Sequence, residues 1–138
     1  MFTFGREHEK KCEARYVRNA EQIHLLMAII DAVHDLIEGT GSESQLIDAI
    51  RAGFTQGGSG VWESAARWLR KSSADYPSVL QLWLEFASHS NALIRFRAAC
   101  FLDEMPQGIY ATVATALLAD RSKKVTSMAA DRISERGE

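Results

Sequence analysis

Five residues that can bind metals or move protons lie close together in the chain: His24, Asp31, His34, Asp35 and Glu38. Helical spacing puts Asp31 one turn before His34, and Glu38 one turn after it, the way a helix offers ligands to a divalent ion. The run His34-Asp35-Leu36-Ile37-Glu38 is not the His-Glu-Xaa-Xaa-His of a zinc helix, and no cysteine or third histidine joins it locally. It predicts a solvated polar face, and no metal or cofactor is expected. Gln56-Gly57-Gly58-Ser59-Gly60 stands before a helical pattern, where exposed N–H groups attract phosphate. It lacks the Lys-Ser/Thr of a P-loop, no strand precedes it, and Ser59 has no Gly-Xaa-Ser-Xaa-Gly elbow. A flexible turn is predicted there. No nucleophile–base set appears elsewhere, so the chain is expected not to be an enzyme.

Aromatic and basic residues give a different expectation. Trp68, Trp83 and Phe101 fall on apolar helical stripes and read as core. Trp62 and Phe96 sit off the stripes of their helices, which would expose their rings. Exposed aromatics beside arginine are typical binding hot spots. Basic residues cluster at Arg67, Arg70 and Lys71, at Arg95 and Arg97, and at Arg121, Lys123 and Lys124, diluted by Glu63, Asp103 and Asp131. Trp62, Arg67, Arg95, Phe96, Lys123 and Lys124 are therefore the expected partner-binding residues, with another protein as partner.

Composition narrows the field. The 138 residues, 46% hydrophobic and 25% charged, predict one globular domain. Net charge is -2, with six Lys/Arg against nine Asp/Glu over residues 1–60 and ten against nine over 61–138. That balance argues against nucleic acid as partner. Cys12 and Cys100 are isolated, so no disulfide framework or CxxC motif exists. The N-terminal MFTFGREHEKK lacks an apolar signal-peptide core, and the run Leu25 to Ile30 is too short to span a bilayer. A cytoplasmic protein without membrane contact is expected.

The elements that must position these residues read as helices throughout. Residues 6–17 are highly charged, and the Glu7–Lys11 and Glu9–Glu13 spacings predict a solvated face, anchored by Tyr16 and Val17. Asn19 with Gln22 forms a capping-box pattern ahead of Ile23, Leu26, Met27, Ile30, Val33 and Ile37. Residues 6–41 are read as a helical hairpin or one long helix, ended by Gly39-Thr40-Gly41. Ser42 with Gln45 opens a helix carrying Leu46, Ile47, Ile50 and Phe54, and Ser59 is the expected cap of a helix from Val61 to Leu69. Pro77 pre-sets a first turn before Leu80, Trp83, Leu84 and Phe86. Helical patterns follow at Ile94 to Leu102, Tyr110 to Leu118 and Val125 to Ile133. No strand-like alternation of useful length appears, and the chain is expected to be all-α.

One apolar script recurs along it. Val61, Ala65, Ala66 and Leu69 return 33 residues later as Ile94, Ala98, Ala99 and Leu102, and 31 residues beyond that as Val125, Ala129, Ala130 and Ile133. Such self-similarity marks stacked helical hairpins, none able to bury its apolar face alone. Residues 117–133, Leu-Leu-Ala-Asp-Arg-Ser-Lys-Lys-Val-Thr-Ser-Met-Ala-Ala-Asp-Arg-Ile, resemble a HEAT repeat, with a Leu-Leu helix end, a turn Asp, then Val and Ala-Ala. Residues 86–102 are similar, with Arg95 at the family's arginine position. The resemblance covers residues 43–135 and implies a right-handed α-solenoid of about three hairpins, repeats spanning 42–72, 76–104 and 106–135, with an N-terminal helical cap. It also implies a pair between Asp120 and Arg95 across neighbouring repeats. Stand-alone bacterial proteins of this kind look like adaptors or like immunity proteins that neutralise a toxin, binding it through the second helices of the hairpins. The alternative is a nucleic-acid-binding or DNA-base-repair protein, similar to the HEAT-like glycosylases.

Overall fold

The computed structural model describes every residue except Phe2, Tyr16 and Glu138, so the expected anchor Tyr16 lies outside the described residues. The described residues are helical, with no strand among them. They form α1 (Arg6–Ala14), α2 (Ile23–Ile37), α3 (Glu43–Gln56), α4 (Val61–Ser73), α5 (Gln81–Ala87), α6 (Ala92–Ala99), α7 (Gln107–Leu118) and α8 (Lys123–Arg136). Residues 6–38 are thus two helices. The chain divides into two compact units, Met1–Val79 and Leu80–Glu138.

In the first unit α2 is the central helix, packed against α1, α3 and α4. Its apolar face buries Leu26, Ile29, Ile30 and Val33, which meet Leu46, Ile50 and Phe54 of α3 and Val61, Ala65 and Leu69 of α4. A Cβ at Gly53 would lie 3.0 Å from Ile29 Cδ1 and 3.2 Å from the Ala65 Cβ, so the three helices meet closely at that point. Helix boundaries follow local chemistry. Asn19 Oδ1 accepts the Glu21 N–H, and Ser42 Oγ accepts the Gln45 N–H, as expected of both caps. Gly39 ends α2 at φ +77, a left-handed conformation that costs glycine little.

Other local expectations are corrected. The Gln22 side chain does not reach back to its cap but accepts the Gly58 N–H at 2.7 Å, tying the glycine-rich turn to the start of α2. Gly60, not Ser59, caps α4, and its N–H goes to the Glu63 carboxylate at 2.8 Å. The turn is no loose linker either. A Cβ at Gly57 would stand 2.4 Å from Val61 Cγ1 and 2.5 Å from the Gly53 carbonyl oxygen.

In the second unit α5 packs on α6 and α7, and α8 packs on α6 and α7. Leu82, Phe86, Ile94, Leu102, Val113, Leu117 and Val125 form its core. Ala98 of α6 and Ala129 of α8 have no exposed surface, as Ala65 has none in the first unit, in keeping with the small residues expected at close helix contacts. Trp68 and Trp83 are buried, whereas Phe101 is half-buried. The helix expected to run on to Leu102 stops at Ala99, and a 3-10 turn, Leu102–Glu104, follows. Arginines of α8 satisfy carbonyls of that irregular stretch. Arg132 Nε donates to the Cys100 carbonyl at 3.0 Å, and Arg136 donates to the Met105 carbonyl at 2.6 Å while lying 3.7 Å from the Tyr110 ring centroid.

Candidate functional site

The polar residues of α2 are only in part a solvated face, since His24 and Glu38 are exposed, Asp31 and Asp35 are half-buried and His34 is buried. The Arg6 guanidinium of α1 donates to Asp31 at 2.9 Å and to Asp35 and Glu38 at 3.0 Å, and the Lys10 ammonium reaches Asp31 at 2.8 Å. Three carboxylates along two turns of α2 thus hold one arginine. Burial pushes the Asp31 carboxyl up, but hydrogen bonds from Lys10 and Arg6 outweigh it and hold it below the usual carboxylate range. Asp35 is lowered by the Gln45 amide and then by Arg6. His34 is buried instead of exposed, and its Nε2–H donates to Glu9 Oε1 at 2.5 Å. His24 points outward, its Nδ1 at 2.7 Å from the Glu21 carbonyl oxygen.

The expected solvated spacing of Glu9 and Glu13 on α1 is corrected in the same way. Both carboxylates are buried, because their partners arrive from distant parts of the chain. Glu13 Oε1 accepts from Arg67 Nη2 at 2.5 Å and from the Trp68 indole N–H at 3.2 Å, both on α4. Lys71 Nζ stands 3.7 Å from Glu9 Oε2 and 4.9 Å from the centre of the Trp68 ring. Between α1 and α4 lies a groove of about 410 Å³, lined by Phe4, His8, Glu9, Cys12, Glu13, Arg67, Trp68 and Lys71. Sequence reasoning missed it. The His8–Cys12 and Glu9–Glu13 spacings were visible, but nothing local marks which face of α1 turns inward.

The six expected partner-binding residues divide between the units. Trp62 is half-buried, its ring edge-on to Phe54 at a centroid distance of 6.0 Å. Arg67 belongs to the groove. Arg95, expected on an exposed surface, is buried with 7% of its surface accessible. Its Nε donates to Asp120 Oδ2 at 2.7 Å, and its Nη1 donates to the carbonyls of His89 and Ser90. The expected Asp120–Arg95 pair therefore forms, and it draws Arg95 inward. Burial pushes Asp120 up, but Arg95 and the Ser122 N–H outweigh this and lower it.

Phe96, Lys123 and Lys124 do come together. Phe96 of α6 is half-buried, with Lys124 Nζ 5.2 Å from its ring centre. Phe96 also lines a shallow hollow of about 530 Å³ with Lys123, Lys124, Ser127, Met128 and Asp131 of α8. Leu93, 50% exposed, lines a second hollow with Ala92, Phe96, Ser122 and Lys124.

Among the described residues no group of three or more His, Cys, Asp or Glu side chains is placed to hold a metal ion, and no helix is long and apolar enough to cross a membrane. Neither cysteine is in a disulfide. No family model matches the chain, and neither a curated protein nor a solved structure matches it.

Proposed function

We propose that this chain is a non-enzymatic protein-binding module, an adaptor or an inhibitor of the protein it binds, built from HEAT-like hairpins stacked as a solenoid and acting in the cytoplasm. The observation that supports it best is the surface around Phe96. An aromatic ring flanked by Leu93 and Met128 has an apolar centre, and Lys123 and Lys124 give that centre a cationic rim. Hot spots have this composition, with an aromatic anchor inside and charges outside that steer association more than they hold it. The complementary partner presents an apolar side chain ringed by Asp or Glu. Arg95 contributes by fixing α6 through Asp120 rather than by touching the partner.

The test is affinity capture with tagged full-length protein, comparing wild type with Phe96→Ala, Lys124→Ala and Lys11→Ala, the last on the exposed side of α1. A captured protein should bind Phe96→Ala more weakly by about 2 kcal/mol, roughly thirtyfold, at unchanged helicity. Lys124→Ala should lose less than about 1 kcal/mol at physiological salt. A partner that binds Phe96→Ala like wild type but is lost with Lys11→Ala places the interface on α1 and removes the assignment to α6 and α8.

A further inference from the structure

The hollow beside Phe96 is walled by α8, and the α8 residues that line it carry charge of opposite sign at their two ends. Lys124, Ser127, Met128 and Asp131 recur at helical spacing, so they form one stripe about 10.5 Å long, two turns of helix. Lys124 and Asp131 are exposed, Ser127 between them is small and exposed, and Met128 is half-buried. The stripe therefore runs from a cation through a small and an apolar residue to an anion.

Neither end is neutralised within the molecule. Exposed charges on a helix pair with residues three or four positions away. For Lys124 and Asp131 the positions between them are Ser127 and Met128, and beyond Asp131 stand Ser134 and Glu135. Asp120, one turn before Lys124, is taken by Arg95. Among the described residues the Asp131 side chain is in no hydrogen bond or ion pair, and the Lys124 ammonium lies over the Phe96 ring. At two turns' separation the two charges are too far apart to pair with each other.

Such a stripe is complementary to itself. Turned end for end about a two-fold axis between Ser127 and Met128, a second α8 brings its Asp131 to Lys124 and its Lys124 to Asp131, an isologous contact. Ser127 lets the two helices approach, and Met128 of each copy meets the hollow beside Phe96 of the other. Antiparallel helix dipoles favour the same orientation, whereas a parallel pair would set Lys124 on Lys124 and Asp131 on Asp131. We propose that the Phe96 surface takes a second copy of this chain, in a symmetric dimer closed by antiparallel α8 helices. The proposal rests on the reading of that surface as a docking face and names one occupant. Met128 beside Asp131 is the complement that reading calls for, an apolar side chain with a carboxylate next to it.

Sedimentation equilibrium of the full-length protein, with native mass spectrometry, provides the test. Wild type should be dimeric at about 0.5 mM, a concentration that fills even a weak micromolar interface. Lys124→Glu and Asp131→Lys should each weaken self-association by about tenfold or more, since each puts like charges at both ends of the contact. Both positions are exposed, so helicity should not change. The double variant Lys124→Glu/Asp131→Lys should recover the dimer, because both pairs re-form with their signs exchanged. An equimolar mixture of the two single variants should give the mixed dimer in excess over either parent dimer. Lys11→Glu, an exposed reversal on α1, should leave the wild-type dimer intact. A wild type that stays monomeric at that concentration overturns the proposal. So does a dimer indifferent to both single reversals, or a double variant no better than the single ones. Those failures concern the occupant alone, since a captured partner that Phe96→Ala releases still supports the docking face.

Discussion

Asp120 accepts from the Arg95 Nε and from the Ser122 backbone N–H, so one carboxylate both pairs a buried cation and holds the first turn of α8. Arg95 spends its other donors on the His89 and Ser90 carbonyls, fixing the turn before α6. Breaking a buried pair by removing one partner leaves an uncompensated charge, which costs far more than an exposed pair contributes. Asp120→Ala should therefore destabilise the protein by about 3–5 kcal/mol. Glu135→Ala, which removes the exposed partner of Arg132, should cost less than about 1 kcal/mol. Urea denaturation of the two variants checks the contrast, and similar midpoints would show that the Arg95 pair is solvated. The pair itself was legible, since the turn Asp120 of one repeat and the helix Arg95 of the preceding repeat stand at the two positions that the HEAT-like pattern bridges. Its depth was not, because burial depends on what α8 lays over it.

The elements differ in what holds them. Helices α2, α3 and α4 are joined by apolar side chains, but α1 is attached mostly by charge. Arg6 and Lys10 engage α2, and Glu9 and Glu13 engage His34, Arg67 and Trp68. Exposed ion pairs weaken with salt, as the Debye length falls from about 8 Å at physiological strength to about 3 Å at 1 M. Amide exchange should therefore speed up in α1 as salt is raised, while α2 and α3 amides stay protected. Arg6→Ala should produce the same pattern at low salt. Uniform protection of α1 across both conditions would mean that its buried carboxylates alone hold it. The amphipathic helices could be read from their stripes, whereas α1 has almost no stripe. Its inward face is defined by partners 25 to 55 residues away, which no local window contains.

Across the whole molecule, the lowered carboxyls lie in both compact units, Asp31 and Asp35 in the first and Asp120 in the second. A carboxyl whose folded value lies below its unfolded value of about 3.9 stabilises the fold above that pH. That contribution is lost as pH falls through the lower folded value. Urea midpoints should hardly respond to these three groups between about pH 7 and 5, and should fall steeply below about pH 4. Arg6→Ala should flatten part of that fall, since Arg6 helps to lower both Asp31 and Asp35. An unchanged midpoint from about pH 5 to 3 would show that the three carboxylates are equally well placed in the unfolded chain.

The sequence by itself determined the helical class, most helix boundaries, the apolar stripes and the small alanines at close contacts. These depend on periodicity and on capping groups within a few residues, which the chain carries locally. Only the tertiary structure decided the fate of the charged residues. Asp31, His34 and Asp35 read as a wet surface until α1 lies beside them, and Arg95 reads as a contact residue until Asp120 is beside it. The groove at Cys12 exists because Glu13 of α1 meets Arg67 and Trp68 of α4, a distance of more than fifty residues along the chain. A charged side chain is indifferent to local periodicity, and its role is fixed by whichever partner the folded chain brings within hydrogen-bond reach.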